Sequence, residues 1–182
     1  MHAIHRTLLI PITVFVAVCL WLAPTSTIAQ NLWREAKIGM PLEAIREQFP
    51  GATPPLRPTK LRDGSQEALR LSGVSVEDHT FDAMFFFKNK KLVQINLELQ
   101  EKGTAVFGLQ TSRGIRSAFE SKYGPPDDEQ DYKGPTGPAL LQLVSWRSGR
   151  TLITLSYATA AGKLQLLNIA YRLVPGGRKD DI

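Results

Sequence analysis

The clearest regular pattern lies at residues 93–99, where Val93, Ile95, Leu97 and Leu99 alternate with Gln94, Asn96 and Glu98. A period of two puts the apolar set on one side of a pleated strand and the polar set on the other. The alternation returns at Ile153, Leu155 and Tyr157, set against Thr154 and Ser156. It returns again at Leu167, Ile169, Tyr171 and Leu173, set against Asn168 and Arg172. Leu69, Leu71, Val74 and Val76 predict a strand whose phase slips at Ser72-Gly73, the mark of a bulge. Phe81, Ala83, Phe85 and Phe87 predict another; Met84 and Phe86 make its second side apolar as well, so it needs cover on both faces. Leu141, Leu143, Val144 and Trp146 predict one more. Turns are expected at Lys88-Asn89-Lys90, at Ser148-Gly149 and at Gly162.

Helical spacing occurs twice. Leu42, Ile45 and Phe49 share one face behind Pro41, and Pro50-Gly51 stops the helix. Thr111 or Ser112 suits the N-cap of a second helix carrying Ile115, Ala118, Phe119 and Tyr123, ended by Gly124-Pro125-Pro126. Residues 52–66 predict a long loop made basic by Arg57, Lys60 and Arg62. Asp127, Asp128, Glu129 and Asp131 predict an acidic loop. The expected order is helix, three strands, helix, three strands. Hairpin-length turns make the sheet mostly antiparallel, and both helices are expected on its apolar face, which is an α+β domain. Residues 30–175 are expected to hold this single domain as two repeats, 30–100 and 104–175, with a loose tail at 176–182.

The first 29 residues follow a different rule. Arg6 precedes an uncharged apolar run over residues 7–23, and small and polar residues then lead to Ala29. This order predicts a secretory signal cut after Ala29, hence a periplasmic or secreted protein with no lasting membrane anchor. Cys19 is the one cysteine and lies inside the apolar run, preceded by Val18, which does not suit a lipid anchor. The exported chain must therefore fold without disulfides. A hydrophobic share of 43% and a charged share of 21% are ordinary for a globular protein. The net charge of +5 is spread along the chain with no basic stripe, so nucleic acid is not an expected partner.

Chemistry is sparse. Past the signal the chain has one histidine, His79, beside Glu77, Asp78 and Asp82. One nitrogen ligand and no sulfur make a poor zinc site, and the acidic residues at 127–131 lack the spacing of a calcium loop. No metal and no cofactor are expected. No Gly-x-Ser-x-Gly turn accompanies His79. The surface that remains is the polar side of the strands: Gln94, Asn96, Glu98, Thr154, Ser156, Asn168 and Arg172.

At residues 38–45, and again at 119–126, the chain resembles two groups. An apolar residue, Gly39, Met40, Pro41, a helix, then Gly and Pro is similar to the small outer-membrane-assembly lipoproteins and to the tandem-repeat fold of the secreted β-lactamase inhibitor protein. That resemblance implies a non-enzymatic chain that binds another protein or an envelope component. The lipidated cysteine of the first group and the contact residues of the second have no counterpart here. The expectation is an exported protein-binding domain, not an enzyme. The alternatives are an envelope hydrolase using His79 and a binder of a small apolar ligand near Phe85, Phe86 and Phe87.

Overall fold

A computed structural model describes residues 31–134 and 139–174. The expected signal and tail lie outside them. In chain order the elements are β1 (Asn31–Trp33), β2 (Ala36–Lys37), α1 (Leu42–Gln48), β3 (Gln66–Val76), β4 (His79–Lys88) and β5 (Lys91–Leu99). There follow α2 (Ala105–Tyr123), β6 (Asp128–Lys133), β7 (Leu140–Ser148), β8 (Thr151–Ala160) and β9 (Lys163–Leu173). Seven strands form one sheet in the order β3-β4-β5-β9-β8-β7-β6. Every neighbouring pair in it is antiparallel. The fold is α+β, as the alternation and the short turns require.

Two-residue loops join β3 to β4, β4 to β5, β7 to β8 and β8 to β9. At Glu77-Asp78, Asn89-Lys90 and Ala161-Gly162 both loop residues have positive φ; at the fourth loop Gly149 has φ +59. Such turns follow the right-handed twist of the strands they join. The expected bulge in β3 is present, with Gly73 at φ +74 where the register shifts between Leu71 and Val74.

A second register shift corrects the reading of β5. Phe87 pairs with Leu92 and Phe86 with Gln94, so Val93 is the inserted residue and Leu92 joins the core in its place.

Across the central strands Phe85 faces Ile95, Ile95 faces Tyr171, Tyr171 faces Ile153 and Ile153 faces Trp146. This row is buried on one side of the sheet. Phe49, at the end of α1, lies 5.2 Å from Phe85, and Phe119 of α2 meets Trp146 edge-on at 5.4 Å. Both helices therefore sit on the same side. Trp33 stacks on Phe49 at 5.9 Å, which closes the N-terminal end of that layer.

Two further expectations are corrected. The second helix begins at Ala105, not near Ser112: Thr104 is its N-cap and accepts a hydrogen bond from Phe107 N. Thr111 is inside the helix. Gly108, by intrinsic preference a helix breaker, serves packing. A Cβ there would stand 2.5 Å from Leu164 Cδ1 and 3.0 Å from Tyr157 Cε2. The Tyr157 hydroxyl also donates to Ala105 O at 2.6 Å, tying the start of α2 to β8.

The acidic loop is strand β6, exposed at every position. Its charges suit an edge strand, where they discourage pairing with other chains. The second half thus has four strands. Residues 52–65 form the expected long connection between α1 and β3. Thr53 bridges Arg70 and Lys60 bridges Gln66, so the segment runs beside the other sheet edge. Within it Leu56 is fully exposed.

The two helices start in the same way. Pro41 bridges Lys91 at the head of β5, and Thr104 bridges Lys163 at the head of β9. The two caps have φ/ψ of −72/163 and −74/165.

Candidate functional site

The side of the sheet away from the helices is built by the polar phase of the same strands. Gln94 pairs with Arg172, and Glu98 with Asn168. Asn168 in turn pairs with Ser156, while Ala170 lies between Asn96 and Thr154. All seven polar residues singled out by alternation thus come together on three adjacent strands, β5, β9 and β8. They do not form a flat, wet surface. Arg172 is exposed, Asn168 is buried, and the other five are half-buried. Local hydrogen bonds order the patch: Gln94 Nε2 donates to Asn96 Oδ1 at 2.7 Å, and the Ser145 and Thr154 hydroxyls are 3.0 Å apart.

Charged residues flank the patch, and most escape the sequence reading. Asp82 pairs with Glu98 on one side. It shares the second side of β4 with Met84 and Phe86, so the alternation there reads as apolar and gives no signal for it. Beyond it Arg70 donates from Nε to Glu67 Oε1 at 2.7 Å and from Nη2 to Glu67 Oε2 at 3.0 Å. The Glu67 side chain has no exposure and also accepts Thr59 N at 3.0 Å. Arg70 Nη1 stands 3.8 Å from Asp82. On the far side Arg147 and Arg172 line a shallow depression of about 310 Å³ with Asp127, Asp128, Leu143 and Leu152.

Burial pushes the Glu98 carboxyl up; Arg70 opposes this, while Asp82 and Glu67 add to it. Its folded pKa lies above the unfolded value, so the ionised form costs stability as pH rises through the carboxylate range. Glu98→Gln should therefore raise the thermal midpoint near neutral pH. At about pH 3, where both folded and unfolded carboxyls are protonated, the difference should vanish. Melting curves of both proteins across this range check the sign.

His79 sits elsewhere, where β4 meets α2. Its Nδ1 is 2.6 Å from Glu101 Oε2 and its Nε2 is 3.3 Å from the Thr111 hydroxyl. Glu101 Oε1 accepts Thr80 N at 2.9 Å. That backbone bond, then His79, holds the Glu101 carboxyl below its ordinary value. The ring lies edge-on to Phe107 at 5.7 Å, beside a depression of about 260 Å³. Carboxylate, imidazole and hydroxyl stand in the order that activates a nucleophile. Thr111, however, is buried in the body of α2, where backbone N–H groups are taken up by the helix and cannot hold an oxyanion. Among the described residues no group of three His, Cys, Asp or Glu is placed to hold a metal ion.

The three consecutive phenylalanines divide between the two faces. Phe85 is wedged against Phe49 and Trp33 under α1. Phe86 faces Gln94 on the open side, and Phe87 borders a depression with Leu42 and Ala68.

No protein-family model matches this chain, and neither the curated proteins nor the solved structures contain one significantly similar to it.

Proposed function

We propose that this chain is an exported, non-catalytic domain that binds another protein of the bacterial envelope through the open face of its sheet. The observation that carries this reading is the continuity of that face. Seven polar residues occupy three adjacent central strands, charged groups flank them, and both helices are packed on the opposite side. A broad pleated surface of half-buried polar groups presents complementarity over an area, which is how proteins recognise one another. The apolar run and small-residue flank of residues 1–29 support export.

A duplicated unit is part of the same reading. What supports it is the matching start of the two helices, each cap bridging the lysine that opens the last strand of its half. The β5–β9 joint supports it too: Leu97 and Ile169 pair, and each lies six residues past that lysine. A local two-fold relation through this pair would make the open face two related surfaces side by side.

The test is capture from envelope extract by the immobilised protein, with chemical crosslinking and three forms compared. Wild type and Leu56→Asp should retain the same partner. A triple variant, Gln94→Ala, Asn96→Ala and Thr154→Arg, should retain about a tenth as much. Failure of wild type to retain any protein overturns the reading. Equal retention by the triple variant moves the contact off this face, and loss in Leu56→Asp alone moves it to the 52–65 segment.

One observation favours a second reading, an envelope hydrolase: the Glu101–His79–Thr111 chain of contacts. Turnover of ester or peptide substrates that disappears in both His79→Ala and Thr111→Val would support it. Activity that survives in either variant removes it.

A further inference from the structure

We propose that Asp82, Glu98 and Asn168 form a receptor for a guanidinium group, so that the partner presents an arginine side chain to the open face. This rests on the open-face reading and names the chemistry of its ligand.

The first ground is charge. Among the described residues three carboxylates, Glu67, Asp82 and Glu98, share one cation, Arg70. Arg70 is committed to Glu67 by two hydrogen bonds and reaches Asp82 only at 3.8 Å. Among the described residues the Glu98 carboxylate receives no hydrogen bond. Two half-compensated negative charges thus remain, Asp82 buried and Glu98 half-buried, where an unpaired charge is costly.

The second ground is independent of charge. Asn168 is only 9% exposed, and its Oδ1 is buried with no hydrogen-bond partner. Buried acceptors without donors are rare in native proteins and point to an absent partner. Asn168 stands directly opposite Glu98, which stands directly opposite Asp82. The three acceptors form one row across three strands, about 10 Å from first to last.

The shape of the row selects the ligand. Its two carboxylates only accept, and Asn168 adds an unmet carbonyl oxygen. A guanidinium carries five N–H groups in a planar fork and no acceptor, so it can meet two neighbouring acceptors at once. An ammonium presents its donors from a single atom and satisfies one end of the row. A hard divalent cation wants six or more oxygens around a point, which a straight row of three side chains does not supply.

The protein, expressed from its full sequence and labelled with ¹⁵N, is titrated with arginine amide and followed by NMR. Saturable shifts are expected at the Asn168 side-chain amide and at the backbone N–H groups of Asp82 and Glu98. Glu98→Gln should weaken binding about tenfold, the loss of one charge-assisted contact, and Asp82→Asn should do likewise. Arg147→Gln, at the far side of the face, should leave it unchanged. Lysine amide should bind several-fold more weakly. Absence of saturable shifts, equal binding by Glu98→Gln, or equal binding of lysine amide would each overturn the assignment. If arginine amide fails while the triple variant still loses the envelope partner, the guanidinium receptor falls and the open-face reading stands. If arginine amide binds but no envelope protein is retained, the reverse holds.

Discussion

Trp146→Ala is expected to lower the unfolding free energy by about 3–5 kcal/mol, the range for deleting a buried aromatic ring. Trp146 is the largest fully buried side chain among the described residues. Its ring receives Phe119 edge-on, and its Nε1–H donates to Gly124 O at 3.1 Å, where α2 ends. The substitution removes ring volume, an aromatic contact and the partner of the carbonyl that terminates the helix. Trp146→Phe keeps most of the volume and gives up the hydrogen bond, so a smaller loss of about 1 kcal/mol is expected. Trp33→Ala, at a partly exposed ring, should fall between the two. Urea unfolding followed by circular dichroism gives all three values. If Trp146→Ala costs no more than Trp33→Ala, α2 does not depend on β7 in the way these contacts imply. A domain of this size has a total stability of order 5–15 kcal/mol, so the full loss would leave little margin.

The second large effect is expected at Arg70. Glu67 has a side chain with no exposure, and Arg70 supplies two of its three hydrogen bonds. Arg70→Ala would leave that carboxylate buried and held only by Thr59 N. Breaking such a pair from one side costs about 3–5 kcal/mol in a fully buried setting. Arg70 is 31% exposed at its side chain, so about 2–3 kcal/mol is the fitting expectation here. Glu67→Gln with Arg70→Ala removes the stranded charge and keeps an acceptor for Thr59. The double variant should therefore recover much of the loss, giving a favourable coupling in a double-mutant cycle. A double variant as unstable as the sum of the two single changes would show that the pair contributes through something other than charge.

The elements legible in the sequence share one physical property: a single buried face. Leu97 and Leu99 alternate with Asn96 and Glu98 because one side of β5 meets the core and the other does not. That period also brings out the seven polar residues at the centre of the candidate face, since residues sharing a phase on neighbouring strands share a side; the charges that flank them follow no such period. Where an element lacks a buried face, the pattern is silent. Strand β6 is exposed on both sides, so its charges read as a loop. At β5 a bulge exchanges Val93 for Leu92, and alternation cannot register an inserted residue until the partner strand is known. The start of α2 is hidden because Gly108 has a poor intrinsic helix preference, whereas close approach to Leu164 and Tyr157 decides its place. Glu101 and Thr111 are far from His79 in the chain, and only the meeting of β4 with α2 brings them to it. The orphaned Asn168 oxygen has no trace in the sequence, because an unmet hydrogen bond is a property of surroundings.

The pairing of β5 with β9 also has a kinetic consequence. Every other contact inside the two halves of the sheet is made by neighbours in the chain, most of them across loops as short as two residues. Hairpins of that kind close within microseconds. The seam at Leu97 and Ile169 must instead bring together segments separated by roughly 70 residues, with a correspondingly larger entropic barrier. Refolding from denaturant would then be governed by the zipping of this one joint, and the speed of assembly would track substitutions along it while remaining nearly indifferent to changes in the outer strands.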